Sequence, residues 1–191
     1  MACTYTQPMS PKHRFVREVM MNESQFWTVI ENAWATTPAL QAFQQEVLGT
    51  MASQAKKTAF EEKYAEVEPY IPDEQVFIQA INDQLDTLSA EDLLAFDRIL
   101  ERKLYDIDRK DVHRYTDGSD DGFLYCRGFI VAMGETFYNA VDNTPSHAMF
   151  DWDCEALTYI SSHVYEEKFG EIPCSDISRE SFSNASGWQM D

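Results

Sequence analysis

Apolar residues return every third or fourth position along most of this chain, a period that fits one face of an α-helix and no β-strand. Leu93, Phe96, Leu100, Leu104 and Ile107 keep it over four turns. Ser89 and Asp92 ahead of them have the Ser-x-x-acid spacing of a capping box, with Asp in place of Glu or Gln. Phe26, Ile30 and Trp34 step by four with Trp27 beside them, and Phe43, Val47 and Met51 do the same. Val76, Phe77, Ala80, Ile81 and Leu85 form two adjoining rows of a helix starting near Asp73. Leu157, Ile160, Val164 and Tyr165 form the stripe of a last long helix, about Trp152 to Phe169, which Gly170 ends. Pro38 ends the first helix or opens the second, Gly49 interrupts or bends the second, and Pro69 and Pro72 bracket a connection.

With no period-two alternation, the pattern predicts an all-α fold: a single-domain bundle of about six helices over residues 22–170. Residues 1–21, with Pro8 and Pro11, read as an extended N-terminal arm. Residues 171–191 read as a polar, mobile C-terminal tail, apart from what Phe182 or Trp188 anchors. A chain of 191 residues fits one core, and a 44% hydrophobic content excludes an intrinsically disordered polymer. Trp27, Trp34 and Trp152 are expected in that core.

Charge narrows the function classes. Asp and Glu number 33 against 15 Lys and Arg, a formal net charge of -18. The first 60 residues carry five Lys/Arg against four Glu, so the excess belongs to the chain from Glu61 onward, at −19. A polyanion is repelled by such a surface, which argues against nucleic acid as a direct ligand and for a basic protein partner. Cys3, Cys126, Cys154 and Cys174 form no Cys-x-x-Cys pair and read as reduced thiols. With no export-like start and no run of ~20 apolar residues, the expectation is a cytoplasmic protein without membrane contact.

One stretch joins polar to apolar abruptly: "TDGSDDGFLYCRGFIVAMG", residues 116–134. Ser119 can cap a helix there, and Asp120 and Asp121 then fall in its first turn, where the dipole stabilises carboxylates. Arg127 stands two turns on, within reach of a carboxylate from a neighbouring helix; Glu166 is one such candidate, if the two late helices pack together. The leading reading is a cap with a buried ion pair. The other is a pocket around Asp120, Asp121, Tyr125 and Arg127, the arginine gripping an anion and an aspartate acting as base. His113 with Asp117, Asp120 and Asp121 has ligand chemistry for a metal but matches no helical ligand spacing, so no metal is assigned. Cys154, His163 and Cys174 carry nucleophile chemistry without any spacing that joins them. No phosphate loop or nucleophile elbow occurs, and no cofactor or catalytic residue is assigned.

"SDDGFLYCRGFIVAMG" resembles the Ser-Asp-Asp-Gly-Phe-x-Tyr-Phe-Arg motif of DUF4240, a bacterial family of domains of unknown function. "SQFWTVIE", "LLAFDRIL" and "YISSHVYEEKFG" are similar to its flanking motifs, so the resemblance runs from about Ser24 to Gly170. Cys126 stands where the family has Phe, and Phe129 where it has Trp. The resemblance implies a small helical bacterial protein with no attached reaction, and it marks Ser119, Asp120, Asp121, Gly122, Phe123, Tyr125, Arg127 and Gly134. With so thin a catalytic inventory and so acidic a surface, the expected function is an immunity protein, or antitoxin, that occludes a basic toxin. An enzyme built on the Asp120–Arg127 pocket and a regulatory adaptor are the alternatives.

Overall fold

Most of the apolar stripes close into helices where a side chain can cap the free N–H groups. The computed structural model describes residues 21–67, 70–116 and 118–189; the expected N-terminal arm therefore lies almost wholly outside the described residues. Helix α1 (Glu23–Trp34) starts at Asn22, which forms a full capping box with Gln25. Helix α2 (Pro38–Thr50) starts at Thr37 with Pro38 in its first turn, so the proline opens a helix. Helix α3 (Gln54–Tyr64) starts at Ser53. Helix α4 (Glu74–Leu85) follows Asp73, and α5 (Ala90–Asp106) follows Ser89, whose Oγ accepts from Asp92 N. Asp92 returns no bond to Ser89 N; its Oδ1 accepts from Met21 N. The short α6 (Lys110–His113) leads to α7 (Asp120–Ala132) and α8 (Glu135–Asn143). A 3-10 turn, Pro145–His147, then precedes α9 (Glu155–Thr158), α10 (Ile160–Phe169) and α11 (Ala185–Trp188).

The all-α class holds, with eleven α-helices among the described residues where about six were expected. Three expected helices are each divided. The segment after Pro38 breaks at Met51–Ser53, beyond Gly49, because Ser53 offers a new cap. The segment after Ser119 breaks at Gly134, whose φ of 92° an L side chain rarely adopts. The last breaks at Tyr159, and Trp152 lies in the loop before it. Among the described residues the β contribution is one isolated bridge, Tyr70 to Asp153.

Helix α7 is the core element: nine of its thirteen residues are buried, and it packs against α5, α8 and α9. Trp34 Nε1 donates to Ala132 O at 2.6 Å, joining α1 to its end. Trp152 drops into an aromatic group with Phe43, Phe60, Tyr64 and Phe129. All three tryptophans expected inside are buried.

The C-terminal segment departs from expectation. It folds back over α5 and α7, with Arg179 and Asn184 buried and Trp188 half-buried against His113, Phe123 and Phe182. The reason is electrostatic: α5 and the turn after it bury Asp97, Glu101 and Asp108, and this segment supplies their donors. Among the described residues no helix is long and apolar enough to cross a membrane.

Candidate functional site

The polar entrance to α7 is built as a helix start. Ser119 Oγ accepts from Gly122 N at 2.9 Å, and Asp120 and Asp121 occupy the exposed first turn. Arg127 is fully buried, its guanidinium 4.7 Å over the Phe123 ring. Its Nη1 donates to Leu104 O at 2.7 Å and its Nη2 to Ser181 Oγ at 2.9 Å. Burial lowers its pKa to about 10 against the opposing pull of Asp108 and Glu180. The cap is therefore present, while the arginine is held by a carbonyl and a hydroxyl, with Asp108 acting through its field. Glu166 sits exposed on α10 and is not among the partners of Arg127.

The expected pocket at Asp120, Asp121, Tyr125 and Arg127 does not assemble. The two aspartates face solvent, Arg127 packs shut beneath the C-terminal segment, and Tyr125 is half-buried. His113 turns its ring edge-on to Phe123 and Trp188, so it serves packing, and Asp117 lies outside the described residues. Among the described residues no group of three or more His, Cys, Asp or Glu could hold a metal ion. The Cys154 thiol is buried and pairs with the Glu74 carboxylate, and burial pushes its pKa well up, against thiolate chemistry. Cys174 is exposed, and His163 stacks on Tyr159.

A larger concavity lies elsewhere among the described residues. A cleft of about 790 Å³ separates α4 from the α9–α10 pair. Five carboxylates line it: Glu74, Asp86, Asp153, Glu155 and Glu167. Tyr70, Gln79, Asn82, Tyr159 and His163 complete its polar wall, and among the described residues no lysine or arginine lines it. The parallel bridge between Tyr70 and Asp153 brings the approaches to α4 and α9 together, so Glu74 and Glu155, each in a first turn, share one end. Lys168, not itself a lining residue, donates to the backbone carbonyls of Asp86, at the edge of the cleft, and of Leu88.

Burial, with the neighbouring acids adding to it, makes ionisation harder for two of these carboxylates. Burial raises Asp153 to about 6, a backbone hydrogen bond from Glu155 opposes the rise, and the charges of Glu74, Glu155 and Asp151 add to it. Glu74 is also raised, by burial first, with the Cys154 thiol acting against it. A cleft that holds carboxylates above their ordinary range without an internal cation is suited to a guanidinium or ammonium group from outside. The sequence concealed this site because its two walls come from segments some eighty residues apart. Glu74 and Glu155 each look like ordinary first-turn acids.

No curated protein and no solved structure matches the chain. A family model described as "Protein of unknown function (DUF4240)" matches residues 61–167, which include both walls of the cleft, the buried acids of α5 and the whole of α7; the chain belongs to the DUF4240 family.

Proposed function

We propose that this protein is a binding module, a cytoplasmic bacterial immunity protein that neutralises a basic toxin effector by receiving its cationic side chains in the α4/α9–α10 cleft. The observation that carries this reading is the cleft itself, with five carboxylates and no lining lysine or arginine among the described residues. A lysine or arginine inserted there replaces mutual repulsion with paired charge and restores Asp153 toward its ordinary ionisation. The net charge of -18 extends the attraction beyond the contact and speeds encounter.

The test pairs the protein with the product of the neighbouring gene, co-expressed and co-purified. Glu155→Lys combined with Glu167→Lys reverses two exposed charges of the cleft without touching the core. The expected result is about tenfold weaker capture or more, together with loss of growth protection. Wild-type capture should also weaken between low salt and roughly 0.5 M salt, as screening shortens the reach of the field. Full protection by the folded double variant sinks the reading.

A further inference from the structure

Beneath the C-terminal segment lies a second acidic site, built differently from the cleft. Asp97 and Glu101, one turn apart on α5, are both buried and both receive Arg179 Nη2, at 3.0 and 2.8 Å. Arg179 Nη1 goes to Thr158 O, the carbonyl at the break between α9 and α10. Ser161 Oγ donates to Asp97 Oδ1 at 2.6 Å. Farther along, the fully buried Asp108 takes four donors from the same segment: Phe182 N and Trp188 Nε1 on one oxygen, Asn184 N and Ser183 Oγ on the other. Acceptors on the helical body thus face donors on an extended strap.

The strap fills this trough imperfectly. Glu101 Oε2 and Arg127 Nε are buried and have no hydrogen-bond partner among the described residues. One nitrogen of Arg179 serves both carboxylates, so no two-pronged guanidinium pair forms with either. The strap buries little apolar surface: Ile172 and Phe182 are 68% and 48% exposed, and Trp188 is half-buried. Phe182 also takes a φ of 66°, disfavoured for a bulky side chain. Segments held by few apolar contacts open at lower free energy than the core beneath them. The trough acids Asp97, Glu101 and Asp108 lie inside the matched family span of residues 61–167, while the strap lies outside it.

We infer that the trough of Asp97, Glu101 and Asp108 is a recognition site for an arginine-bearing extended peptide, and that the strap around Arg179 is its resident occupant, displaced by such a segment of the basic partner. The inference rests on the proposed partner binding for the source of that segment. It adds a second point of attachment and a link to the first. Arg179 stacks 5.1 Å over the Tyr159 ring, and Glu180 accepts from the Tyr159 hydroxyl. Tyr159 is a wall of the cleft. Exchanging the strap therefore frees a residue that the cleft uses.

The experiment titrates a labelled synthetic peptide of residues 175–189, "SDISRESFSNASGWQ", into the full-length wild-type protein and two full-length variants. Arg179→Ala removes the strap's arginine. Gly187→Ala loosens the strap far from it, since a Cβ there meets Asp108 O at 2.8 Å. Both variants should bind the peptide about tenfold tighter than wild type, because a site counts only when vacant. A peptide carrying Arg179→Lys should bind at least roughly tenfold weaker, since one ammonium nitrogen cannot meet the two acids and Thr158 O together while lying flat over the Tyr159 ring. Hydrogen exchange on the wild type gives an answer independent of either variant's folding. The Phe182 and Asn184 amides should exchange through an opening that leaves the α5 amides protected. Peptide binding by a folded variant that ignores the arginine, no gain over wild type, or strap exchange only with global unfolding each overturns the inference. The cleft reading is judged separately, by the Glu155 and Glu167 reversals.

Discussion

Gly128 lies where α7 crosses α9, and replacing it by alanine sets two effects of opposite sign against each other. In an open helix Gly→Ala stabilises by about 1 kcal/mol, because alanine loses less backbone freedom on folding. At Gly128, however, the added Cβ meets Cys154 O at 2.6 Å and Thr158 Cγ2 at 2.9 Å. The first of these is backbone, fixed in place by Cys154 N donating to Tyr125 O, so it cannot turn aside as a flexible side chain would. The helices must separate, and overpacking of this kind costs about 1–3 kcal/mol. Because the obstructing atom is backbone, the cost falls in the upper half of that range, and the net expectation for Gly128→Ala is a loss of about 1–2 kcal/mol. At ~2–4 °C per kcal/mol for a chain of this size, Tm falls by roughly 2–8 °C. Gly49→Ala is the matched control: it sits in α2 with nothing within 4 Å of a Cβ, and it should stabilise by about 0.5 kcal/mol near that helix end. Thermal melts followed by circular dichroism read both. A Gly128→Ala protein melting at or above wild type would refute the close α7–α9 contact and the position of the cleft wall with it.

Two further perturbations test the cleft and the start of α7. Burial holds the Asp153 carboxyl up at about 6 in the fold, against 3.8 for an ordinary aspartate, so the folded state holds its proton more firmly than the unfolded chain. The destabilisation from ionising it therefore grows as pH rises from about 4 to 6 and persists above. Asp153→Asn should raise the urea midpoint relative to wild type at pH 8, with the difference gone near pH 4; an equal gain at both pH values contradicts the assignment. Ser119→Ala should lower stability by about 1 kcal/mol through loss of the Gly122 N–H acceptor, read from the same denaturation curves.

What was legible in the sequence follows the range of the interactions. The stripes Phe26–Ile30–Trp34 and Leu93–Phe96–Leu100–Leu104 are local, and every one of those residues is buried. Caps at Ser89 and Ser119 are local too, and both side chains accept the expected bond. Helix breaks were harder to place. Pattern continues through Tyr159, yet the backbone turns there, where Arg179 takes Thr158 O from twenty-one residues away. Arg127 stood out as an arginine on an apolar face, but its partners came from Leu104 and Ser181, neither of which carries a charge that a search for ion pairs would find.

The C-terminal strap shows why polar sites escape a reading by periodicity. Five of its fifteen residues from 175 to 189 are serine and one is arginine, and by composition alone it cannot offset the entropy of ordering through apolar burial. Its order comes from the other side of the contact. In and just after α5, the carboxylates Asp97, Glu101 and Asp108 take Arg179, two backbone N–H groups, Ser183 and Trp188 from the strap, and charge-assisted bonds of this kind offset the cost of holding the segment in place. Asp97, Glu101 and Asp108 could have supplied that signal: they fall at buried or boundary positions of an apolar stripe, where an acid needs a partner that the helix itself does not provide. The same logic separates the two acidic regions. In the trough the acids are already met by an internal arginine, so a ligand must compete with the strap. In the cleft no lining lysine or arginine among the described residues meets them, so the proposed basic partner is expected to engage there first, with Tyr159, a wall of the cleft that touches Arg179 and Glu180, joining the two sites.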